Sequence, residues 1–244
     1  MLHQHSPLFD ILQPSHVQKG ARPGPLRWFR RIPTFTFDQY LLYLTACVLF
    51  SLGAASFIAS NLGTDPLDVF SLGLKKHLPI TIGIAQGGFA ALCLLVWAAW
   101  NRRRPPLSPF FTFFFCGSLI DLWMWTNLAN KLHFGPYSLL LLGVTLCGIG
   151  SALIIMSGVG IRAMDLVAIT MFEKLSLPFW FCKGVLELML LTSGWFMGGP
   201  VGIGTLWFLG VVGWSIQPIM WCGTSFLGLA NYGLGQPAAT AAQI

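Results

Sequence analysis

The chain has 244 residues, of which 55% are hydrophobic and 9% charged, with 14 basic and eight acidic side chains. Its mean hydropathy is +0.70. Soluble domains carry about 25% charged residues, so this chain cannot cover a water-facing globule of its size. The composition excludes a soluble enzyme, a disordered protein and a secreted disulfide scaffold, and it argues against a nucleic-acid binder. Most of the surface is expected to face a lipid bilayer.

The cysteines and histidines give no sign of a metal or redox centre. None of the six cysteines forms a C-x-x-C pair, and each falls within an apolar segment. The five histidines lie outside the apolar cores of the predicted spans. We therefore interpret the cysteines as packing residues and expect no metal site and no cofactor.

Residues 1–38 form a polar segment with five basic side chains. The apolar run that follows has the length of a full span, so we predict an uncleaved first helix instead of a signal peptide. The segment is interpreted as a disordered, basic cytoplasmic tail. A short interfacial helix over 7–12 is the alternative.

The chain contains six apolar stretches long enough to cross a hydrocarbon core, which needs about 20 residues. They are predicted at 39–60, 80–100, 107–128, 136–157, 178–198 and 203–222. Two shorter apolar stretches, 66–77 and 163–174, interrupt the series. Each is about 18 Å long as a helix, which suits a half-helix that does not span.

The distribution of basic residues favours six spans over eight. With six, the tail, the Arg102–Arg104 run, Arg162 and Lys174 share one side, and only Lys75, Lys76 and Lys131 lie on the other. With eight, the Arg102–Arg104 run would be exported, against the positive-inside rule. Both termini are therefore predicted to be cytoplasmic.

An internal repeat appears when the sequence is shifted by 97 positions, which aligns 53–87 with 150–184 with eight identities. The aligned pairs include Gly63 with Gly160 and Asp68 with Asp165. With a slip of one residue, Gly117 aligns with Gly213. The predicted organisation is a first membrane repeat at 39–131, a second at 136–223 and an uncharged C-terminal tail at 224–244. Three crossings per repeat make the repeats inverted, as in many transporters.

The break after the first span offers the first candidate binding residues. Gly63 can turn the chain, Asp65 can cap a helix, and Pro66 suits the first helical turn. A half-helix that begins here would present free N–H groups and a positive dipole end. Asp65 and Asp68 are therefore solute-binding candidates. The alternative is that Asp65 only caps the helix that it begins.

The second repeat carries Arg162 at the position of Asp65 and Asp165 at the position of Asp68. If the two half-helices approach each other, Arg162 can pair with Asp65 or Asp68 of the other repeat. The alternative is that Arg162 is only a cytoplasmic topology signal. Both Arg162 and Asp165 are candidates for the solute site.

Two charged residues lie inside the fifth predicted span. Lys183 and Glu187 are spaced i and i+4, so they share a helix face. A charge near the bilayer centre costs about 2.5–3.5 kcal/mol even on insertion scales, so both must face protein or water, or Glu187 must be protonated. They are either a solute or proton site or a mutually neutralising structural pair. Asp121, in the third span, completes the candidates.

These motifs resemble the YczE/YyaS/YitT family of bacterial integral membrane proteins over about residues 40–225. The resemblance rests on LGTDPLDV at 62–69, GSLID at 117–121, Gly160 with Asp165, and GIGT at 202–205. The second-repeat sequence GVGIRAMD at 158–165 departs from the expected form G-x-G-P-x-D. The resemblance implies a multi-pass inner-membrane protein and implies no particular activity.

The sequence predicts an all-α membrane protein with six spans in two inverted three-helix repeats, each with a short half-helix. The leading functional interpretation is a transporter or binder of a small polar, anionic solute at the repeat interface. The alternative is a non-transporting accessory protein that helps a membrane protein partner to assemble or localise. The sequence contains no catalytic motif, and we expect no enzyme activity and no nucleic-acid partner.

Overall fold

The structure is a computed structural model, which describes residues 36–131, 133–175, 177, 179–226 and 229. The predicted basic tail, apart from its last three residues, lies outside the described residues. So does most of the predicted C-terminal tail.

The described part of the chain consists of helices joined by short connections and contains no strand. The elements in chain order are α1 (Phe37–Ser60), α2 (Pro66–His77), α3 (Ile82–Asn101), α4 (Ser108–Trp125), α5 (Leu128–Lys131), α6 (Pro136–Ser157), α7 (Ala163–Leu175), α8 (Phe179–Phe196), α9 (Ile203–Trp207), a π-helical segment (Phe208–Val212) and α10 (Gly213–Phe226). The last three follow one another without a break.

Three helices are long and apolar enough to cross a membrane by length and composition: α1, α3 and α6. The shorter helices α4 and α8 have 18 residues each, or about 27 Å. Shorter apolar stretches were found at Ala163–Phe172 and Ile203–Val212. An all-helical protein with membrane-capable helices is thus confirmed.

The boundaries of α2 follow from local chemistry. Asn61 adopts a left-handed conformation with φ of 54° and ends α1, and Gly63 follows with φ of +103°. The Asp65 carboxylate then accepts a hydrogen bond from the Asp68 backbone N–H, and Pro66 occupies the first turn. These features stop one helix and start another within five residues.

Helices α1 and α6 form the centre of the bundle and pack at short distance through glycines. A Cβ added at Gly53 would lie 2.7 Å from the Cys147 backbone nitrogen, and one added at Gly150 would lie 2.6 Å from that of Phe50. Gly53 and Gly150 are equivalent in the repeat, and so are Phe50 and Cys147. Exchanging each residue for its counterpart in the other repeat therefore converts one contact into the other.

The short helices show the same exchange. The His77 ring contacts the Met197 carbonyl at 3.2 Å, and Lys174 donates to the Trp100 carbonyl at 2.6 Å. His77 is the repeat counterpart of Lys174, and Trp100 is that of Met197. Helix α2 accordingly packs on α8, and α7 packs on α3. Each short helix thus lies against the other half of the chain.

Candidate functional site

The beginning of α2 holds two buried carboxylates. Asp65 is 5% exposed and bonds the backbone of its own helix, whereas Asp68 is fully buried. Asp68 accepts a hydrogen bond from the Gln86 amide of α3 at 2.7 Å and a longer one from Thr64 at 3.5 Å. Asp65 therefore acts as a helix cap, and Asp68 connects α2 to α3.

The beginning of α7 holds a charged cluster, which we call the four-charge cluster: Arg162, Asp165, Lys183 and Glu187. Arg162 Nε donates to Asp165 at 2.9 Å, and Lys183 Nζ donates to the same carboxylate at 3.2 Å. Lys183 also lies 3.6 Å from Glu187 on its own helix. All four side chains are 14–23% exposed. The cluster is neutral when all four groups are ionised, which lowers the cost of burying its charges.

The two halves of the site are related by the repeat. Gln86 donates to Asp68, and Lys183, the counterpart of Gln86, donates to Asp165, the counterpart of Asp68. The first repeat therefore uses a neutral amide where the second uses a cation. The charge at the site is concentrated in the second repeat.

The candidate residues do not all meet. The sequence allowed Arg162 to pair with Asp65 or Asp68 if the short helices met, whereas its Nε donates to Asp165 of its own repeat. Asp121 belongs to α4, and its two side-chain oxygens reach the beginning of α3, where they accept from the Ile82 and Gly83 N–H groups at 3.0 and 2.8 Å. Lys75 approaches Asp121 at 4.0 Å. Asp121 thus stabilises a helix end and does not belong to the four-charge cluster.

A central cavity of about 50 Å³ lies between the halves of the chain. Its walls come from α1, α2, α3, α4, α6, α7 and α8 and from the π-helical segment. Its polar lining consists of Asp65, Gln86, Thr112, Ser151, Arg162, Asp165 and Glu187. A water occupies about 10–15 Å³ on this measure, so the cavity has room for a few waters or a small solute.

Ser151 was not a candidate from the sequence. It lines the central cavity, is 5% exposed, and its hydroxyl has no hydrogen-bond partner among the described residues. Most helical serines near it, such as Ser157, bond a carbonyl of their own helix. A buried hydroxyl without a partner costs about 1–3 kcal/mol, which a bound water or solute would offset. Its repeat counterpart is Ala54, so the repeat alignment alone gave no signal.

Two sequence motifs meet in space beside this site. The Gly204 N–H donates to the Leu62 carbonyl at 2.7 Å, and a Cβ added at Gly63 would lie 2.6 Å from the Gly202 nitrogen. The motif at 62–69 thus packs against the motif at 202–205. This contact holds the break before α2 against the beginning of α9.

A helical bundle with three membrane-capable helices and buried charges at its centre is an integral membrane protein. Residues 37–220 match the family described as "Family of unknown function (DUF6198)", and the chain belongs to that family. The resemblance to the YczE/YyaS family that the sequence predicted is confirmed by the similarity of the chain to YyaS and YczE.

The chain is 27% identical over 172 residues to YyaS of Bacillus subtilis (strain 168), covering 69% of this chain and 85% of the relative. It is 25% identical over 169 residues to the membrane protein YczE of the same organism, covering 69% and 79%. A Haemophilus influenzae (strain ATCC 51907 / DSM 11121 / KW20 / Rd) protein is 24% identical over 193 residues, covering 75% and 84%. No solved structure gives a significant match.

Proposed function

We propose that this is an inner-membrane protein of six spans that binds or moves a small polar, anionic solute between two inverted repeats. In this arrangement α1, α3, α4, α6, α8 and the continuous run from α9 to α10 cross the bilayer. Helices α2 and α7, with 12 and 13 residues, enter it without crossing. Both termini and the Arg102–Arg104 loop lie in the cytoplasm, in keeping with the positive-inside rule.

The exchanged contacts support a twofold relation between the repeats, and three crossings per repeat make that relation an inversion. A twofold axis between the repeats requires that a contact from residue i to residue j be matched by one between their counterparts, with the repeats swapped. The contacts of Gly53 with Cys147 and of Gly150 with Phe50 have this form. The contacts of His77 with Met197 and of Lys174 with Trp100 have it as well.

The central cavity is the observation that carries the proposal. Both repeats line it, and it brings Arg162, Asp165 and Glu187 of the four-charge cluster together with a hydroxyl that has no partner among the described residues. Charged side chains within a membrane are costly and usually mark a pathway or a binding site. Solute sites of inverted-repeat transporters lie at such junctions.

Arg162 supports an anionic solute. Its Nε is bonded to Asp165, while its terminal nitrogens have no hydrogen bond among the described residues. Because a guanidinium presents five donors in a planar fork, these remaining donors suit a carboxylate or another small oxyanion. Ser151, on another wall of the cavity, would add a further donor.

A thermal-shift series tests the proposal. The protein, purified in detergent, is titrated with acetate, bicarbonate, phosphate and sulfate at constant ionic strength, with ammonium as the cationic comparison. We expect at least one oxyanion to raise the melting temperature saturably. Arg162→Lys keeps the charge but loses the fork, and it should weaken binding about tenfold or more.

A matched pair of serine variants provides the control. Ser151→Ala should weaken oxyanion binding, whereas Ser193→Ala should not, because the Ser193 hydroxyl is bonded within its own helix at 2.7 Å. A saturable shift with ammonium and none with any oxyanion would contradict the anionic solute. Equal binding by wild type and Arg162→Lys would contradict the role of Arg162.

The second candidate function is the accessory protein. It is favoured by the way in which the four charges compensate one another. In that case no solute shifts the melting temperature, and a partner protein copurifies in amounts that do not depend on Arg162. The comparison of wild type with Arg162→Lys in both assays separates the two functions.

A further inference from the structure

The two repeats differ in how their last two spans pack. In the first repeat, α3 and α4 lie along each other with little space between them. A Cβ added at Gly83 would lie 2.6 Å from the Ser118 hydroxyl, and one added at Gly87 would lie 3.0 Å from the Phe114 ring. Phe114 therefore fills the space above Gly87.

The second repeat has a gap at the equivalent place. Gly184 is the counterpart of Gly87, and Gly210 is the counterpart of Phe114 under the one-residue slip. Among the described residues, a Cβ added at Gly184 or at Gly210 would meet no atom within 4 Å. Over the described residues, α8 has no contact with α9–α10 comparable to that of α3 with α4. Because position 210 is a glycine, the second repeat lacks the side chain that fills the equivalent space in the first repeat.

A second cavity of about 60 Å³ lies at this gap. It is lined by Arg162, Lys183, Glu187, Phe208, Leu209, Val212 and Ile216. Arg162, Glu187 and Phe208 also line the central cavity. The two cavities are therefore neighbours that share these three side chains as a partition.

The wall of the gap contains a helix irregularity. Phe208–Val212 is π-helical, and it supplies Phe208, Leu209 and Val212 to the second cavity. Single π turns often occur at functional sites, where they change the direction of side chains. Here the π turn places the Phe208 ring, which is 6% exposed, between the two cavities.

We infer that the gap between α8 and α9–α10 is a lateral entrance to the central cavity, and that its occupant is an amphiphile with a small anionic head and a single apolar chain. This inference rests on the proposed function and specifies its substrate class. The head lies by Arg162 and Lys183. The chain lies along Leu209, Val212 and Ile216, between Gly184 and Gly210.

The occupant follows from the surroundings of the gap. Lys183 and Leu209 line the second cavity, and the residues that follow them in the chain, Gly184 and Gly210, are exposed to the surroundings of the bundle. In a bilayer those surroundings are hydrocarbon, where uncovered charges are costly. A polar head that contacts the charges, with a tail that continues into hydrocarbon, satisfies both environments. A purely polar solute would leave the apolar outer part of the gap unfilled.

A chain-length series tests the inference on the full-length protein in phosphatidylcholine nanodiscs. Binding of acetate, butanoate, hexanoate and octanoate is measured against their free aqueous concentrations, with octanol and octylammonium as head-group controls. Burial of one methylene increases affinity about fourfold. We expect affinity to rise by about that factor per methylene up to the length of the gap, and only for the carboxylates.

Gly210→Phe restores the side chain found at the equivalent position of the first repeat, and it should reduce octanoate affinity to that of acetate. Gly184→Leu is the second variant, should Gly210→Phe fail to fold. Gly88→Phe is the matched control, since Gly88 lies on α3 and a Cβ added there also meets nothing within 4 Å in the described part of the chain. Its octanoate affinity should equal that of wild type.

The outcomes separate the two proposals. Acetate binding that depends on Arg162, with no dependence on chain length, would overturn the entrance and leave the proposed function standing. Absence of carboxylate binding at every length would overturn the entrance, and absence of binding by phosphate, sulfate and bicarbonate as well would overturn both. Competition by phosphatidylglycerol in the nanodiscs would assign the gap to a bilayer lipid, and a dimer dissolved by Gly210→Phe would assign it to a second copy. Either result would overturn the inference.

Discussion

Replacing Asp165 by Asn should destabilise the protein much more than the same change at Asp68. The Asp165 carboxylate accepts from two cations, Arg162 at 2.9 Å and Lys183 at 3.2 Å. The Asp68 carboxylate, at the equivalent repeat position, accepts from the neutral donors Gln86 and Thr64. Asn is nearly isosteric with Asp, so the pair of variants isolates the effect of the cationic partners.

The magnitude follows from the burial of the cluster. Removal of one member of a buried ion pair costs about 3–5 kcal/mol. Because the partner side chains are 16% and 23% exposed, part of this cost is relieved by solvation, and we expect about 3 kcal/mol for Asp165→Asn. Asp68→Asn exchanges neutral hydrogen bonds and should cost about 1 kcal/mol.

The assay uses the protein's own cysteines. Cys47, Cys93, Cys116, Cys147 and Cys182 are free and buried, so a thiol-reactive dye reports their exposure on unfolding. For chains of 150–250 residues, 1 kcal/mol shifts the melting temperature by about 2–4 °C. Asp165→Asn should therefore lower it by about 6–12 °C and Asp68→Asn by about 2–4 °C. Equal shifts for the two variants would refute the argument that Arg162 and Lys183 depend on Asp165.

Three further predictions concern the framework of the site. Gly63→Ala should lower stability by about 2 kcal/mol or more, because φ is +103° and a Cβ would lie 2.6 Å from the Gly202 nitrogen. The effect is measured as melting temperature and yield, and a loss of stability no larger than that of Gly88→Ala would contradict it. Asp121→Ala should lower stability by about 1–2 kcal/mol in the same assay, because it removes the acceptor of two N–H groups at the start of α3; an unchanged melting temperature would exclude that role. In intact cells that express the protein with its native cysteines removed, an impermeant thiol reagent should label a cysteine introduced at position 131 and not one introduced at position 103. The reverse labelling would refute the six-span arrangement.

Much of the helical framework could be read from the sequence because local chemistry determines it. The predicted half-helix at 66–77 has the observed bounds Pro66–His77, since Asp65, Pro66 and Gly63 act on the adjacent backbone. The predicted half-helix at 163–174 differs by one residue from Ala163–Leu175. The i,i+4 spacing likewise placed Lys183 beside Glu187, which lie 3.6 Å apart.

The long-range partners could not be predicted in this way. Whether Arg162 bonds Asp65, Asp68 or Asp165 depends on how the short helices pack, which no local signal specifies. Asp121 looked like a buried acid of the third span, but its oxygens cap α3, which lies 38 and 39 positions away in sequence. Repeat symmetry was also misleading for the gap, because a symmetric alignment gives no reason for α8 and α10 to separate where α3 and α4 pack.

The most direct test of the central claim is oxyanion binding by the double variant Lys183→Met with Glu187→Leu. Removing both charges together leaves Asp165 paired with Arg162 and no charge of the cluster unpaired, so the variant should fold. Glu187→Gln alone should disturb either folding or binding, because it leaves Lys183 without one of its two carboxylate contacts. We predict that the folded double variant loses oxyanion binding. A double variant that folds and binds the oxyanion as wild type does would show that the pair is structural and that the site is wrongly assigned.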